Sequence, residues 1–172
     1  PRSTPLYSLA ASDVYKRQVL LGAYTRLTHA GLGCPDWPGC YGFLGVPMSE
    51  HKQAIAEARF PDAPVEVAKG WYEMIHRYFA GALGLVILVI AAQAVRRRAE
   101  PAQPLKLPLA ILALVILQGA FGMWTVTLQL WPQVVTAHLL GGFATLSLLT
   151  LLTLRLSGRF APVSYTHLTL PT

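Results

Sequence analysis

Charged residues are scarce in this sequence. Of its 172 residues 13% are charged, whereas soluble domains carry about 25%. A chain that is 53% hydrophobic cannot cover a soluble globule with so little charge, and it is too apolar for a disordered segment. Two cysteines allow one disulfide and exclude a disulfide-stapled scaffold. Acidic residues number 8 against 14 basic ones, and in so apolar a chain this balance favours a membrane protein over a nucleic-acid-binding one.

Three apolar runs, at residues 75–95, 107–130 and 134–154, are long enough to cross a membrane. About 20 helical residues cover a hydrocarbon core of about 30 Å, and irregular backbone cannot face lipid. A shorter run at 19–27 predicts the outer end of a further helix whose beginning is missing. We therefore predict an all-α polytopic membrane protein, a four-helix transmembrane bundle with a truncated first helix.

Both ends of the sequence differ abruptly in character from the rest. Residues 1–18 and 162–172 read as translated linker sequence, so we predict a non-native leader and a non-native tail. Between them, residues 19–161 form the predicted four-helix half-domain. His167 falls in the predicted tail and is not a candidate for the site.

Basic residues predict the orientation in the membrane. They cluster at two places that share one side if the helices alternate: Arg96, Arg97, Arg98, Lys106, Arg155 and Arg159. That side should be the cytoplasm, so the loop at 96–106 is predicted to be cytoplasmic and the loop at 28–71 extracytoplasmic. The second loop is net acidic, which agrees with this orientation. Within it, Ser49 is expected to cap a short helix that runs to Arg59, although a plain loop stays open.

Three ionisable residues lie inside the predicted spans, where such residues are costly and usually functional. Glu73 and His76 lie near the outer end of one span, and His138 lies near the outer end of the last. Both spans run from outside to inside, and each histidine follows a tryptophan of the membrane interface by a few residues. The two imidazoles should therefore lie at similar depth, which predicts ligation of a haem iron from opposite faces.

The residues around this pair fit a haem. Small residues one and two turns below each histidine would leave room for a flat macrocycle: Ala80, Gly84, Gly141 and Gly142. Glu73 shares a helical face with His76, which would place a carboxylate beside the bound group. Arg77 and Arg26 are candidate partners of the haem propionates.

Other interpretations of the same residues stay open. The histidines are also suited to hydrogen bonding between helices, and Glu73 to pairing with Arg77. Both candidate arginines are also suited to snorkelling at the interface. A further alternative is a zinc ion held by Glu73, His76 and His138. A compact zinc site, however, does not need the flat open space that the small residues would leave below the histidines.

Cys34 and Cys40 flank a tight, proline-containing loop. An oxidising compartment outside the membrane favours a disulfide between them. A redox-active role for the pair stays open, because exposed disulfides in short loops are labile.

Four segments together resemble the heme A synthase family of cytochrome oxidase assembly proteins: GAYTRLTHAGLGCPDWPGC, EMIHRYFAGALG, QGAFGMWTV and VTAHLLGG. The resemblance runs from about Val19 to Leu154. It implies an eight-helix enzyme built of two similar four-helix halves, of which this sequence would be the amino-terminal half. It also implies the bacterial cytoplasmic membrane as the location.

The resemblance further implies roles for individual residues. His76 and His138 would be the histidine pair that binds the haem O substrate, and Glu73 the glutamate implicated in catalysis. Cys34 and Cys40 would be the cysteine pair of the first outer loop, thought to form a disulfide. A haem b cofactor would belong to the other half, so this half alone is expected to be inactive.

The implied reaction oxidises the C8 methyl of haem O to the formyl group of haem A for cytochrome c oxidase biogenesis. The expected partners are haem O, haem A and the lipid bilayer, with haem O synthase, an electron donor and a second copy of the chain as further candidates. A membrane b-type cytochrome or haem carrier remains an alternative function. A membrane thiol–disulfide oxidoreductase is another, although such proteins generally need a second cysteine pair, which this sequence lacks.

Overall fold

The computed structural model describes residues 4–100 and 103–157, with side chains from residue 9 onward. It contains five helices: α1 (Thr4–Leu27), α2 (Glu50–Arg59), α3 (Val67–Arg96), α4 (Lys106–Thr127) and α5 (Pro132–Leu156). Within these ranges there is no strand, only an isolated bridge between Cys40 and Phe43. The all-α prediction is confirmed.

Three helices of the described chain, α3, α4 and α5, are long and apolar enough to cross a membrane. They contain the three predicted runs almost entirely. The largest differences from the predicted bounds are at the beginning of α3 and at the end of α4. α3 begins at Val67, before the apolar run, because its first turns pack under the preceding loop and bury Gly70, Glu73 and Met74. α4 ends at Thr127 rather than residue 130, since the chain there turns through left-handed φ angles of 48° and 58°.

The short run at 19–27 is the outer end of α1, which the structure extends back to Thr4. Exposed Asp13, Lys16 and Arg17 interrupt its apolar character, and α1 is not among the three candidate spans. That residues 1–18 are non-native stays a prediction. The predicted tail, with His167, and the basic residue Arg159 lie outside the described residues.

The four long helices form a closed ring. α1 packs against α3 and α5, and α4 packs against the same two helices. Within the described chain no Cα atom of α3 lies within 8 Å of a Cα atom of α5, so these two helices stand diagonally across the bundle. Their inward side chains, such as Ile87 and Leu149, share one apolar core with Ile111 of α4.

Residues 28–66 form a small cap over the beginning of α3. Its buried cluster includes both cysteines, Tyr41 and Ala56, and it packs on Met74 of α3. Ser49 adopts extended backbone angles, and its hydroxyl accepts the Lys52 N–H at 3.4 Å. The predicted short helix is therefore confirmed as α2, which begins directly after its Ser49 cap.

Candidate functional site

The carboxylate of Glu73 is held between α3 and the cap. Glu73 is only 5% exposed, and both of its oxygens have partners. Oε1 lies 2.6 Å from Nη2 of Arg77, one turn further along α3. Oε2 accepts the backbone N–H of Cys34 at 2.9 Å. The pairing of Glu73 with Arg77 that the sequence left open is therefore confirmed, and the carboxylate faces the cap.

Arg77 reaches the same part of the cap through its other nitrogen. Nη1 donates a hydrogen bond to the Gly39 carbonyl and lies 3.4 Å from the Pro38 carbonyl. Arg26, by contrast, lies exposed in the last turn of α1, with no side-chain partner among the described residues. A contact of either arginine with propionates stays a prediction.

Cys34 and Cys40 form a disulfide that is fully buried in the cap. The loop that it closes lies directly on α3. A Cβ atom built on Gly33 would lie 2.5 Å from the carbonyl carbon and oxygen of Lys69, so only glycine allows this contact. The disulfide loop is thus seated against the helix that carries Glu73.

A tight hairpin fixes the far side of the disulfide loop. The Asp36 carboxylate accepts the N–H groups of Tyr41 and Gly42 at 2.6 and 2.7 Å. Both turn residues have positive φ, and the Tyr41 hydroxyl donates to the Pro64 carbonyl at 2.9 Å. Burial raises the pKa of Tyr41, with the negative charge of Glu66 adding to the effect. Asp36 and Tyr41 were not among the residues predicted from the sequence. An aspartate close to a glycine-containing turn was the feature that could have indicated this hairpin.

His76 is half-buried against α1. The amide nitrogen of Gln18 lies 2.9 Å from its Nδ1 and donates to the His76 carbonyl at 3.0 Å. A Cβ on Gly22 would come within 2.9 Å of the ring, so this glycine lets α1 approach the imidazole. Gln18 lies within the segment predicted to be a leader, and it was not a candidate for the site.

His138 is held against α4 instead. Its ring faces Gly122, where a Cβ would lie 3.5 Å from Cε1. The side-chain amide of Gln118 donates to the His138 carbonyl at 2.8 Å. In the described part of the protein, the buried Nδ1 of His138 has no hydrogen-bond partner. Gln118 was also missed, because a single glutamine in an apolar run gives no indication of the helix that it contacts.

The two histidines come from helices that stand diagonally in the bundle. Glu73 does not complete a metal site with them. Among residues 4–100 and 103–157 no group of three His, Cys, Asp or Glu side chains is placed to hold a metal ion. The structure therefore gives no support to the zinc alternative, since the carboxylate is bound to Arg77 and the cap.

The open space that was predicted below the two histidines is only partly present. Ala80 is exposed, and Gly84 faces Val115 at van der Waals distance. The space beside Gly141 is filled by Gln118, whose Oε1 lies 2.6 Å from the position that a Cβ would take. The expectation of open space at Gly141 was therefore wrong, because a side chain of α4 occupies it.

Comparisons with known proteins agree on one family. A family model described as cytochrome oxidase assembly protein matches residues 8–170. The heme A synthase of Shewanella oneidensis is 56% identical over 137 residues, which cover 80% of this chain and 41% of that protein. Heme A synthases of Chelativorans sp. and Mesorhizobium japonicum are 36% and 34% identical over 129 residues, 67% of this chain and 35% of each protein. The chain spans less than half the length of these curated relatives.

Proposed function

Since the chain belongs to the cytochrome oxidase assembly protein family, we propose that it is the haem O-binding portion of a heme A synthase. The whole protein would oxidise the C8 methyl of haem O to the formyl group of haem A by successive hydroxylations and loss of water. The single observation that carries the proposal is the 56% identity to a heme A synthase over most of this chain.

The histidine pair supports the binding of a haem. His76 and His138 come from diagonal helices, so a planar group between them would be held from both faces. The buried Nδ1 of His138 lacks a hydrogen-bond partner among the described residues, and an imidazole nitrogen is an ordinary iron ligand. The haem bound here would be the substrate haem O, and the chain would supply the two ligands of its iron and a buried setting.

Glu73 would act at the periphery of the substrate. Its carboxylate is fixed by Arg77 and by the Cys34 N–H, so little reorganisation is needed when charge develops nearby. In the proposed reaction it stabilises positive charge at the reacting carbon or accepts a proton. Arg26, without a side-chain partner in the described chain, is the propionate candidate that is free to move. Arg77 would first have to leave Glu73 or Gly39.

We propose the bacterial cytoplasmic membrane as the location, with the cap on the outer side and the basic loop at 96–106 in the cytoplasm. The buried disulfide of the cap supports this orientation, because disulfides persist in oxidising compartments. An electron donor and haem O synthase are the proposed partners of the whole protein, and self-association stays a prediction.

The proposal is tested in a chimera in which the matched segment of this chain replaces the corresponding segment of the Shewanella oneidensis heme A synthase. Reduced-minus-oxidised spectra report haem binding, and pigment extraction reports haem A. We expect Glu73→Gln to retain bound haem and to stop haem A formation. We expect His76→Ala or His138→Ala to change the spectrum, and His51→Ala, on the exposed face of α2, to change neither measurement.

The same measurements separate the alternatives. A parent chimera that binds haem and never makes haem A would favour a b-type cytochrome or haem carrier. Normal haem A yield from Glu73→Gln would remove the catalytic role of that residue. An unchanged spectrum in both histidine variants would remove the ligand assignment.

A further inference from the structure

We propose that Arg77 is a positioning residue, which acts through the disulfide loop at residues 33–40 to hold the carboxylate of Glu73. The proposal rests on the proposed function, in which Glu73 acts on the substrate. In this proposal the side chain of Arg77 binds the cap and Glu73, and it does not bind a haem propionate.

The guanidinium of Arg77 bridges two groups at once. One nitrogen lies 2.6 Å from Glu73 Oε1, and the other donates to the carbonyl of Gly39. The Arg77 side chain is 12% exposed and that of Glu73 is 6% exposed, so water competes little for these contacts. Because a guanidinium carries its donors in a rigid planar fork, fixing one contact also orients the other.

The second oxygen of Glu73 closes a ring of contacts. It accepts the N–H of Cys34 at the beginning of the loop, whereas Arg77 holds Gly39 near the end of the loop. The disulfide ties these two ends together, with 4.7 Å between the Cα atoms of Cys34 and Cys40. The ring therefore runs from Glu73 through Cys34, the disulfide, Gly39 and Arg77 back to Glu73. Opening it at any point should loosen the other contacts.

A second ion pair, between Lys69 of α3 and Glu66 directly before that helix, provides a matched comparison. Lys69 lies 2.8 Å from Glu66, but these side chains are 34% and 54% exposed. Neither partner has a side-chain hydrogen bond to the disulfide loop among the described contacts. Exposed pairs of this kind contribute little to stability. Loss of Lys69 should therefore leave the loop and Glu73 unaffected.

The first measurement needs neither haem nor activity. In the purified chimera without haem, dithiothreitol reduces the disulfide to two thiols and is itself oxidised to its cyclic disulfide. The rate is followed by alkylation of the new thiols and a gel shift. We expect Arg77→Gln to accelerate reduction by about tenfold or more, since a buried charge-assisted contact to the loop is lost. Arg77→Lys should also accelerate it, because an ammonium lacks the fork, and Lys69→Gln should match the parent.

The second measurement asks whether the loop serves Glu73. Arg77→Gln, and separately the double change Cys34→Ser and Cys40→Ser, should lower haem A yield while the spectrum of bound haem is retained. If Arg77→Gln fails to accumulate, Arg77→Lys takes its place, with the same two expectations.

Two outcomes would overturn the proposal. A parental reduction rate together with weakened haem binding would mark Arg77 as a haem contact. Accelerated reduction with undiminished haem A yield would show that the loop does not serve Glu73. A parent chimera that makes no haem A contradicts the proposed function instead, and the reduction rates still report whether Arg77 holds the loop.

Discussion

Gly33 is the point at which the disulfide loop rests on α3, so a methyl group there should lift the loop away. A Cβ at this position would lie 2.5 Å from the carbonyl carbon and oxygen of Lys69 and 2.8 Å from the nitrogen of Gly70. These atoms belong to the helix backbone and cannot rotate aside. Gly33→Ala should therefore detach the loop rather than displace a side chain.

The expected size of the effect follows from two contributions. Overpacking costs about 1–3 kcal/mol. Loss of a hydrogen bond to a charged group, here the Cys34 N–H to Glu73, costs about 1.5–3 kcal/mol. Because detachment relieves the clash, the two contributions do not add, and we take about 2 kcal/mol. Since about 1.4 kcal/mol corresponds to a factor of ten, local opening of the loop should rise about 25- to 30-fold.

The assay is the rate at which dithiothreitol reduces the Cys34–Cys40 disulfide, under conditions where the loop opens and closes faster than it is reduced, so that the rate follows the open fraction. Gly81→Ala is the matched control, because Gly81 lies on α3 and a Cβ there meets no atom within 4 Å. We expect the control to match the parent. If Gly33→Ala is reduced at the parental rate, the loop is not held on α3 and the argument for a seated cap is refuted.

Two further predictions concern the bundle and the cap. Gly141→Ala places a methyl 2.6 Å from Gln118 Oε1, at the end of a flexible side chain that must move aside. Moving it breaks the Gln118 hydrogen bond to the His138 carbonyl, so stability in SDS titration should fall by about 1 kcal/mol. Gly119→Ala, with open space around it, should not lower stability, and equal losses would contradict the packing. Tyr41→Phe removes the hydrogen bond to Pro64 and should cost the cap about 1 kcal/mol, a roughly fivefold faster disulfide reduction. Because burial raises the pKa of Tyr41, its contribution is full below about pH 10 and is lost as pH rises through the folded-state pKa. The ratio of the variant rate to the parental rate should therefore fall above pH 10, and a constant ratio from pH 8 to 11 would contradict this.

Local features were readable from the sequence because their causes are local. An apolar run of about 20 residues must be helical in lipid, so all three spans were found, and the predicted ends of α4 and α5 lie close to the observed ones. Only α3 begins well before its apolar run, because its first turns carry the cap. Ser49 caps α2 through its own hydroxyl and a backbone N–H three residues later, which is again a short-range effect. The pairing of Glu73 with Arg77 depends on helical spacing alone, and the sequence offered it as an alternative.

The tertiary structure decided which groups meet across the chain. Glu73 bonds to Cys34, 39 positions away, and Gln118 fills the space beside Gly141 of another helix. Hydropathy cannot indicate such contacts in a membrane protein, because lipid is as apolar as the bundle interior and the buried face of a span has no hydrophobic signature. The sequence alone therefore determined where the spans, α2 and the candidate site residues lie. Only the packing of α1, α3, α4 and α5 decided that His76 and His138 stand on diagonal helices and that Glu73 faces the cap.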